Sequence, residues 1–248
     1  MGKLNEKVAI VTGGSSGIGR AIAERFAKEG ANVIIVGRHE DFLKEVAGTN
    51  ASISYVVGDI TDSKVVEEVV TKAKKNFGRL DILVNNAGWC PVQPITEITV
   101  EDYDKAFNLD VRAVVDLTVK ALPMIMEAKG NIINLSSVGA THPAPNLSMY
   151  TGAKAAIENF TRVWALELAL KGVRVNAIAP GAVRTNIWNS TDLPEEEERA
   201  HEARVAESIP VQRFADPDEI ASVALFLVSD EASYVTGSVY AVDGGQGA

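Results

Sequence analysis

Tyr150 and Lys154 stand four residues apart, and Ser137 precedes the tyrosine by thirteen. In a helix, four residues advance about 400° and roughly 6 Å, so the phenol and the ammonium share one face. A free phenol ionises near ~10, too high for a base at neutral pH, but a nearby ammonium favours the phenolate. Such a pair can move a proton to or from a substrate oxygen. The Ser137 hydroxyl can donate to that same oxygen as negative charge develops on it. Tyrosine and lysine at this spacing also occur as a plain surface contact, and the pair alone does not decide between the two.

A second group of residues suits an anion. An apolar run at Val8–Thr12 leads into Gly13-Gly14-Ser15-Ser16-Gly17-Ile18-Gly19 and then into a helical pattern. Glycines let the backbone turn sharply and approach a ligand, and the start of the following helix favours negative charge. The loop is not a P-loop, because no Gly-Lys-Ser/Thr follows, and it also departs from G-x-G-x-x-G. A turn glycine followed by a packing glycine, with no ligand, is the simpler alternative. Asn85-Asn86-Ala87-Gly88 ends another apolar run. Its small residues would let a dinucleotide lie near backbone, and its asparagines would tie loops together; an ordinary turn is the competing reading.

The elements that must position these residues alternate along the chain. Strands are expected at Val8–Thr12, Asn32–Gly37, Ile53–Val57, Asp81–Asn85, Asn131–Leu135, Arg174–Ile178 and Val239–Val242. Their near-continuous hydrophobicity suits strands covered on both faces. Helices are expected at Gly17–Glu29, Ser63–Phe77, Glu101–Ala128, Ser148–Leu170 and Pro217–Ser229. Thr99 with Asp102, and Asp216 before Pro217, are start signals. The run Glu195–Glu198 reads as a solvated helix start. The pattern predicts an α/β, doubly wound, seven-stranded parallel sheet with helices on both faces, as one domain over residues 1–248. With strand order 3-2-1-4-5-6, a crevice opens beside strand one, where the glycine loop lies.

Composition narrows the partners. The 248 residues hold 24 Lys plus Arg against 33 Asp plus Glu, a net charge of −9, which argues against nucleic acid or an anionic membrane. One cysteine, Cys90, excludes an intrachain disulfide, and with 3 histidines a zinc cluster is not expected, so no metal is assigned. With no signal-like segment and no run approaching roughly 18 apolar residues, a cytoplasmic protein is expected.

Taken together, T-G-x-x-x-G-x-G at Thr12–Gly19, N-N-A-G at Asn85–Gly88, Ser137, Y-x-x-x-K at Tyr150–Lys154 and Pro180-Gly181 resemble the short-chain dehydrogenase/reductase family, in its branch of about 250 residues. The match runs from Lys7 to Gly245. The resemblance implies hydride transfer between a nicotinamide cofactor and a carbonyl/secondary alcohol pair. Tyr150 would be the general acid/base, Ser137 the orienting donor, and Lys154 the partner of the nicotinamide ribose. Asn108 would hold a water linking Lys154 to solvent. The oxidised nicotinamide ring would add to the pull of Lys154 on the phenol. Cofactor contacts implied are Gly13, Ser15, Ser16, Gly17, Ile18, Gly19, Asp59 with Ile60 at the adenine, Asn86, Ala87 and Gly88. Pro180, Gly181, Val183 and Thr185 follow near the carboxamide. From the residues alone, Asp59 competes as a cap before Ser63.

The second strand decides which nicotinamide. An acid at its end would bind both ribose hydroxyls and repel a 2′-phosphate; here Gly37 stands at that place with Arg38 beside it. NADP(H) is therefore favoured over NAD(H), although Ser15 and Ser16 supply no second base. The substrate pocket would draw on Trp89, Cys90, His142, Pro143, Leu147, Met149, Ile187 and Trp188, within a substrate-loop segment at about 185–208, which suggests an apolar or amphipathic ketone. Of these, Trp89, His142, Met149 and Trp188 are the candidate substrate contacts; Cys90 reads as packing. An alternative substrate is a 3-oxoacyl chain on an acidic carrier protein, for which Lys129 and Lys171 are the available basic residues. A non-catalytic dinucleotide-binding regulator would leave Ser137, Tyr150 and Lys154 unused, and a transferase on a similar sheet would not explain them. Ala153, Ala156, Phe160, Trp164 and Glu167 form a second used face on the long helix, and relatives are usually tetramers, so a homotetramer is expected.

Overall fold

The computed structural model describes residues 2–185 and 195–248, with the backbone alone over 195–201. The strands are β1 (Val8–Thr12), β2 (Asn32–Gly37), β3 (Ile53–Val57), β4 (Ile82–Asn85), β5 (Asn131–Leu135), β6 (Arg174–Pro180) and β7 (Val239–Val242). They form one seven-stranded sheet in the order β3-β2-β1-β4-β5-β6-β7, every pair parallel. The strand order steps outward from β1 in both directions, so the loops after β1 and β4 meet at the carboxyl edge, as the crevice expectation required.

The helices are α1 (Gly17–Lys28), α2 (Glu40–Thr49), α3 (Ser63–Phe77), α4 (Val100–Phe107), α5 (Ala113–Ala128), α6 (Ser148–Leu168), α7 (Glu195–Ser208) and α8 (Pro217–Val228). Alternate strand residues feed two cores. Ala9, Val11, Val33 and Ile35 pack with Ile22, Phe26, Ile220 and Leu225 of α1 and α8. Val8, Ile10, Ile34 and Val36 pack with Val66, Leu117, Ile125 and Ala165 of α3, α5 and α6. Strands buried on both faces therefore explain the unbroken apolar runs.

Several elements depart from the sequence reading, β4 among them, which starts at Ile82 rather than Asp81. The helix expected over Glu101–Ala128 is broken by a π-helical segment at Asn108–Arg112. The helix expected to reach Leu170 ends at Leu168 and tightens into a 3₁₀ turn at Ala169–Lys171. β6 runs on to Pro180, which pairs with Val242, because a terminal strand residue can do without the missing N–H. Helix α2 was not foreseen; only Leu43 and Val46 of it are buried.

Candidate active site

The carboxyl edge is assembled by asparagine and threonine. Thr12 Oγ1 accepts hydrogen bonds from the N–H groups of Asn86 (2.9 Å) and Ala87 (3.0 Å), and Asn86 Nδ2 donates to the Thr12 carbonyl at 2.8 Å. The Asn86 side chain is thus a tie between the loops after β1 and β4. A buried chain lies beneath it: Asn85 Nδ2 donates to Asn134 Oδ1 at 2.8 Å, and Asn134 Nδ2 donates to Thr161 Oγ1 at 2.9 Å. These bonds lock β4, β5 and α6 together, so the residues at their ends hold fixed relative positions.

The start of α1 is left open. Its cap residue, Ser16, makes no side-chain capping bond, and no acidic residue occupies the first turn. First-turn N–H groups have no helical acceptor of their own, which makes such a start a ready anion site. Gly17 has a φ of +53°, and a Cβ there would lie 3.0 Å from Thr185 Cγ2. Any side chain would therefore crowd the covering Thr185. Gly19 lies so near the Gly13 carbonyl that a Cβ would come within 2.3 Å of it. Ser15 is half-buried and Ser16 exposed, while Ile18 packs on the core. Backbone donors and a helix start with no acid in its own first turn fit the diphosphate of a dinucleotide.

Further along this edge, Arg38 is exposed just past the end of β2 and makes no ion pair among the described residues. Asp59 Oδ1 accepts from Thr61 N (2.9 Å) and Thr61 Oγ1 (2.8 Å), while the α3 cap is Asp62, which accepts from Lys64 N at 2.9 Å. The cap itself is thus Asp62, and Asp59 turns the chain just before it, its carbonyl accepting from Asp62 N at 2.9 Å. Ile60 is buried beside it. Pro180 ends β6, Gly181 N donates to the Val242 carbonyl at 3.1 Å, and Val183 bridges to Ala215.

The catalytic candidates converge at the start of α6. Lys154 Nζ lies 5.5 Å from the Tyr150 ring centroid, donates to the Leu135 carbonyl at 3.1 Å, and sits 3.1 Å from Asp110 Oδ1. Ser137 Oγ accepts from Gly139 N at 3.1 Å, which turns its hydroxyl toward the same corner. Burial alone would depress the Lys154 ammonium, but the Asp110 carboxylate overcomes it and holds Lys154 above its ordinary value. The phenol behaves differently from the sequence expectation. Burial pushes the Tyr150 pKa up, and the charge of Lys154 and the Ser137 hydroxyl pull it down without cancelling that rise. The pull of Lys154 is therefore present as expected, but burial outweighs it in the cofactor-free protein, and the phenol stays protonated through neutral pH. Burial likewise lifts the Cys90 thiol to about 11, which keeps it neutral and agrees with a packing role.

Asn108 opens the π-helical segment and is exposed. Single π turns inside helices occur often at functional sites, because they leave local backbone groups differently paired. Asp110, in the same segment, was missed. The signal was present: Ala106, Ala113, Leu117 and Ala121 are buried at helical spacing, and Asp110 puts a carboxylate into that stripe.

Of the substrate candidates, Trp89 is half-buried with Lys105 Nζ 3.9 Å from its ring, and Met149 is half-buried near the start of α6. His142 is exposed and its Nδ1 lies 3.0 Å from Thr141 Oγ1. Ile187 and Trp188 lie outside the described residues. Gly172, next to Lys171, packs on the Lys129 side chain, but at the far end of α6. At 1.5 Å per residue, that end is about 30 Å from Tyr150, so within one chain they do not border the site. No helix among the described residues is long and apolar enough to cross a membrane.

Comparison with known proteins agrees with this geometry. A family profile described as enoyl-(acyl carrier protein) reductase matches residues 13–246. The 3-oxoacyl-[acyl-carrier-protein] reductase FabG of Thermotoga maritima is 39% identical over 98% of this chain and 98% of its own. Glucose 1-dehydrogenase 2 of Bacillus subtilis is 38% identical over 98% of this chain and 95% of its own. The 3-ketoacyl-(acyl-carrier-protein) reductase of Brucella melitensis, solved in complex with NADH, superposes with a TM-score of 0.91 at 36% identity, covering 99% of this chain and 100% of that one. Matched in sequence and in fold along essentially its whole length, the chain belongs to the short-chain dehydrogenase/reductase family of oxidoreductases.

Proposed function

We propose that the chain reduces a ketone to a secondary alcohol, reversibly, with NADP(H) preferred to NAD(H), and that Ser137, Tyr150, Lys154 and Asn108 carry the reaction. The observation that supports this most directly is the corner where Lys154 Nζ, the Tyr150 ring and the Ser137 hydroxyl meet, on the same carboxyl edge of the sheet as the open start of α1. The dinucleotide, when bound, supplies the hydride. In the reductive direction Ser137 and Tyr150 donate hydrogen bonds to the carbonyl oxygen, and the Tyr150 proton moves onto it as negative charge develops. The phenolate left behind is held by the Lys154 ammonium, and Asn108 keeps the water through which it regains its proton. A phenol whose pKa is raised is loaded as an acid at neutral pH. Alcohol oxidation, which needs the ionised form, should therefore quicken as pH rises.

Gly13, Ser15, Ser16, Gly17, Ile18 and Gly19 would hold the diphosphate, and Asp59 and Ile60 the adenine. Asn86, Ala87 and Gly88 would lie along the dinucleotide, with Pro180, Gly181, Val183 and Thr185 near the carboxamide. Arg38, exposed and without an acidic partner among the described residues, suits a 2′-phosphate. Trp89, Met149 and His142 would border an apolar or amphipathic substrate. The names of the two carrier-protein reductases among the relatives favour a 3-oxoacyl thioester as a second reading. The half-buried Phe160–Trp164 stack, with Leu166 and Leu170 exposed further along the helix, supports a homotetramer built through α6.

The test is a panel of apolar ketones, sugars and 3-oxoacyl thioesters, each with NADPH and NADH. A ketone or thioester turned over with higher kcat/KM for NADPH is expected. Arg38→Asp should lower the NADPH/NADH ratio at least tenfold, and an unchanged ratio would remove the assignment of Arg38.

A further inference from the structure

Asp110 occupies a position that the reading above does not use. It is 1% exposed and lies in the π-helical segment between α4 and α5. One oxygen, Oδ1, is 3.1 Å from Lys154 Nζ; the other, Oδ2, accepts from the Trp89 N–H at 3.1 Å. Gly88 is bound into the same arrangement, because a Cβ there would lie 2.6 Å from Asp110 Oδ1 and 3.2 Å from Lys154 Nζ. The glycine of Asn85–Gly88 thus leaves room for an ion pair as well as for backbone approach. The carboxylate joins the loop after β4, the π-helical segment and α6.

We infer that Asp110 is a positioning residue for the reaction: it keeps Lys154 charged and in place beside Tyr150, and it fixes the backbone of the loop that begins with Trp89. An ammonium as buried as that of Lys154, with a carbonyl for company, would lose its proton far more readily without a counter-ion. The groups that face Lys154 are Asp110 from the π-helical segment, Tyr150 from its own helix, and the Cys90 thiol from the loop after β4. The thiol, with a pKa of about 11, is neutral and cannot replace the carboxylate. On α6 itself, Glu158 is engaged by Ser136 Oγ at 2.9 Å and by Arg162 Nη2 at 3.2 Å. Among the described residues, Asp110 is left as the counter-ion.

This inference rests on Lys154 acting with Tyr150 as proposed above. It is tested with Asp110→Asn, which keeps the shape and removes the charge, and with Asp110→Ser should the amide not be tolerated. Two readouts are needed. The first is the ¹⁵N signal of the Lys154 amine in cofactor-free protein, assigned by its loss in Lys154→Met and followed against pH. The second is the pH profile of kcat for ketone reduction. Without the carboxylate, the amine should titrate at least about one unit lower, and the alkaline fall in reductive turnover should move down with it. If both curves coincide with those of the parent, or kcat falls by one factor at every pH while the amine titration stays put, Asp110 does not set the charge of Lys154. Full turnover in Lys154→Met would instead strike at the proposed function itself.

Discussion

The starts of α1 and α8 are neighbours with opposite finish. Gly17, Arg20 and Ala21 of one and Asp216, Pro217 and Asp218 of the other line a shared cavity of about 290 Å³. The α8 start is closed by its own chain: Asp216 and Glu219 form a reciprocal capping box, Pro217 holds the first turn, and Arg213 clamps Glu219 at 2.7 and 2.8 Å. The α1 start has no side-chain cap and no acid in its first turn. Both helices pack in the same core, so burial does not explain the contrast. A helix start that the chain caps itself serves stability, whereas one left open has donors available for a ligand.

The contrast is broken most sharply by Ser16→Asp, which would give α1 the cap that α8 has. Capping should raise the stability of the free protein by up to about 1 kcal/mol. The same carboxylate should repel the diphosphate and weaken dinucleotide binding at least tenfold. Calorimetric melting and a Kd titration with NADPH would read these opposite signs; equal or tighter binding would mean that the α1 start does not hold the phosphates.

Removing the cap from α8 is the converse. Asp216→Ala should cost about 1 kcal/mol, seen as a lower Tm, with the Kd for NADPH unchanged. A comparable loss of affinity would mean that the two starts act as one site. The smallest effect is in acid. Arg213, with the Asp216 backbone N–H, holds the Glu219 carboxyl down at about 2 from an ordinary 4.5. Its contribution is therefore complete above about 4.5 and is lost as pH falls toward 2. Glu219→Gln should melt below the parent at pH 7 and converge with it in acid; a difference independent of pH would exclude the charge as its cause.

The sheet was readable because its strands are apolar on both faces, and five of the seven strands keep their expected bounds. Thr99 and Asp216, read as start signals, each sit in a capping box, with Asp102 and with Glu219, and Pro217 stands in the first turn of α8. Helix α2 escaped notice because ten residues with only Leu43 and Val46 buried give too short a periodicity. The break at Asn108–Arg112 has no compositional mark, since none of those residues is Gly or Pro. Ser137, Tyr150 and Lys154 were legible by type and spacing. Asp110 was legible only as a carboxylate within an apolar stripe; its part depends on Trp89 and Lys154, distant in sequence and brought together only by packing. The phenol's net shift was not legible either, because spacing placed the ammonium beside it but gave no sign of how strongly burial opposes that pull.

The central claim is that the Tyr150 hydroxyl transfers the proton. It is tested by the turnover number of Tyr150→Phe on a ketone that the parent reduces, with NADPH affinity measured alongside. The account predicts a fall in kcat of about 10²–10⁴ with Kd for NADPH within twofold of the parent. Parent-like turnover in Tyr150→Phe would contradict it.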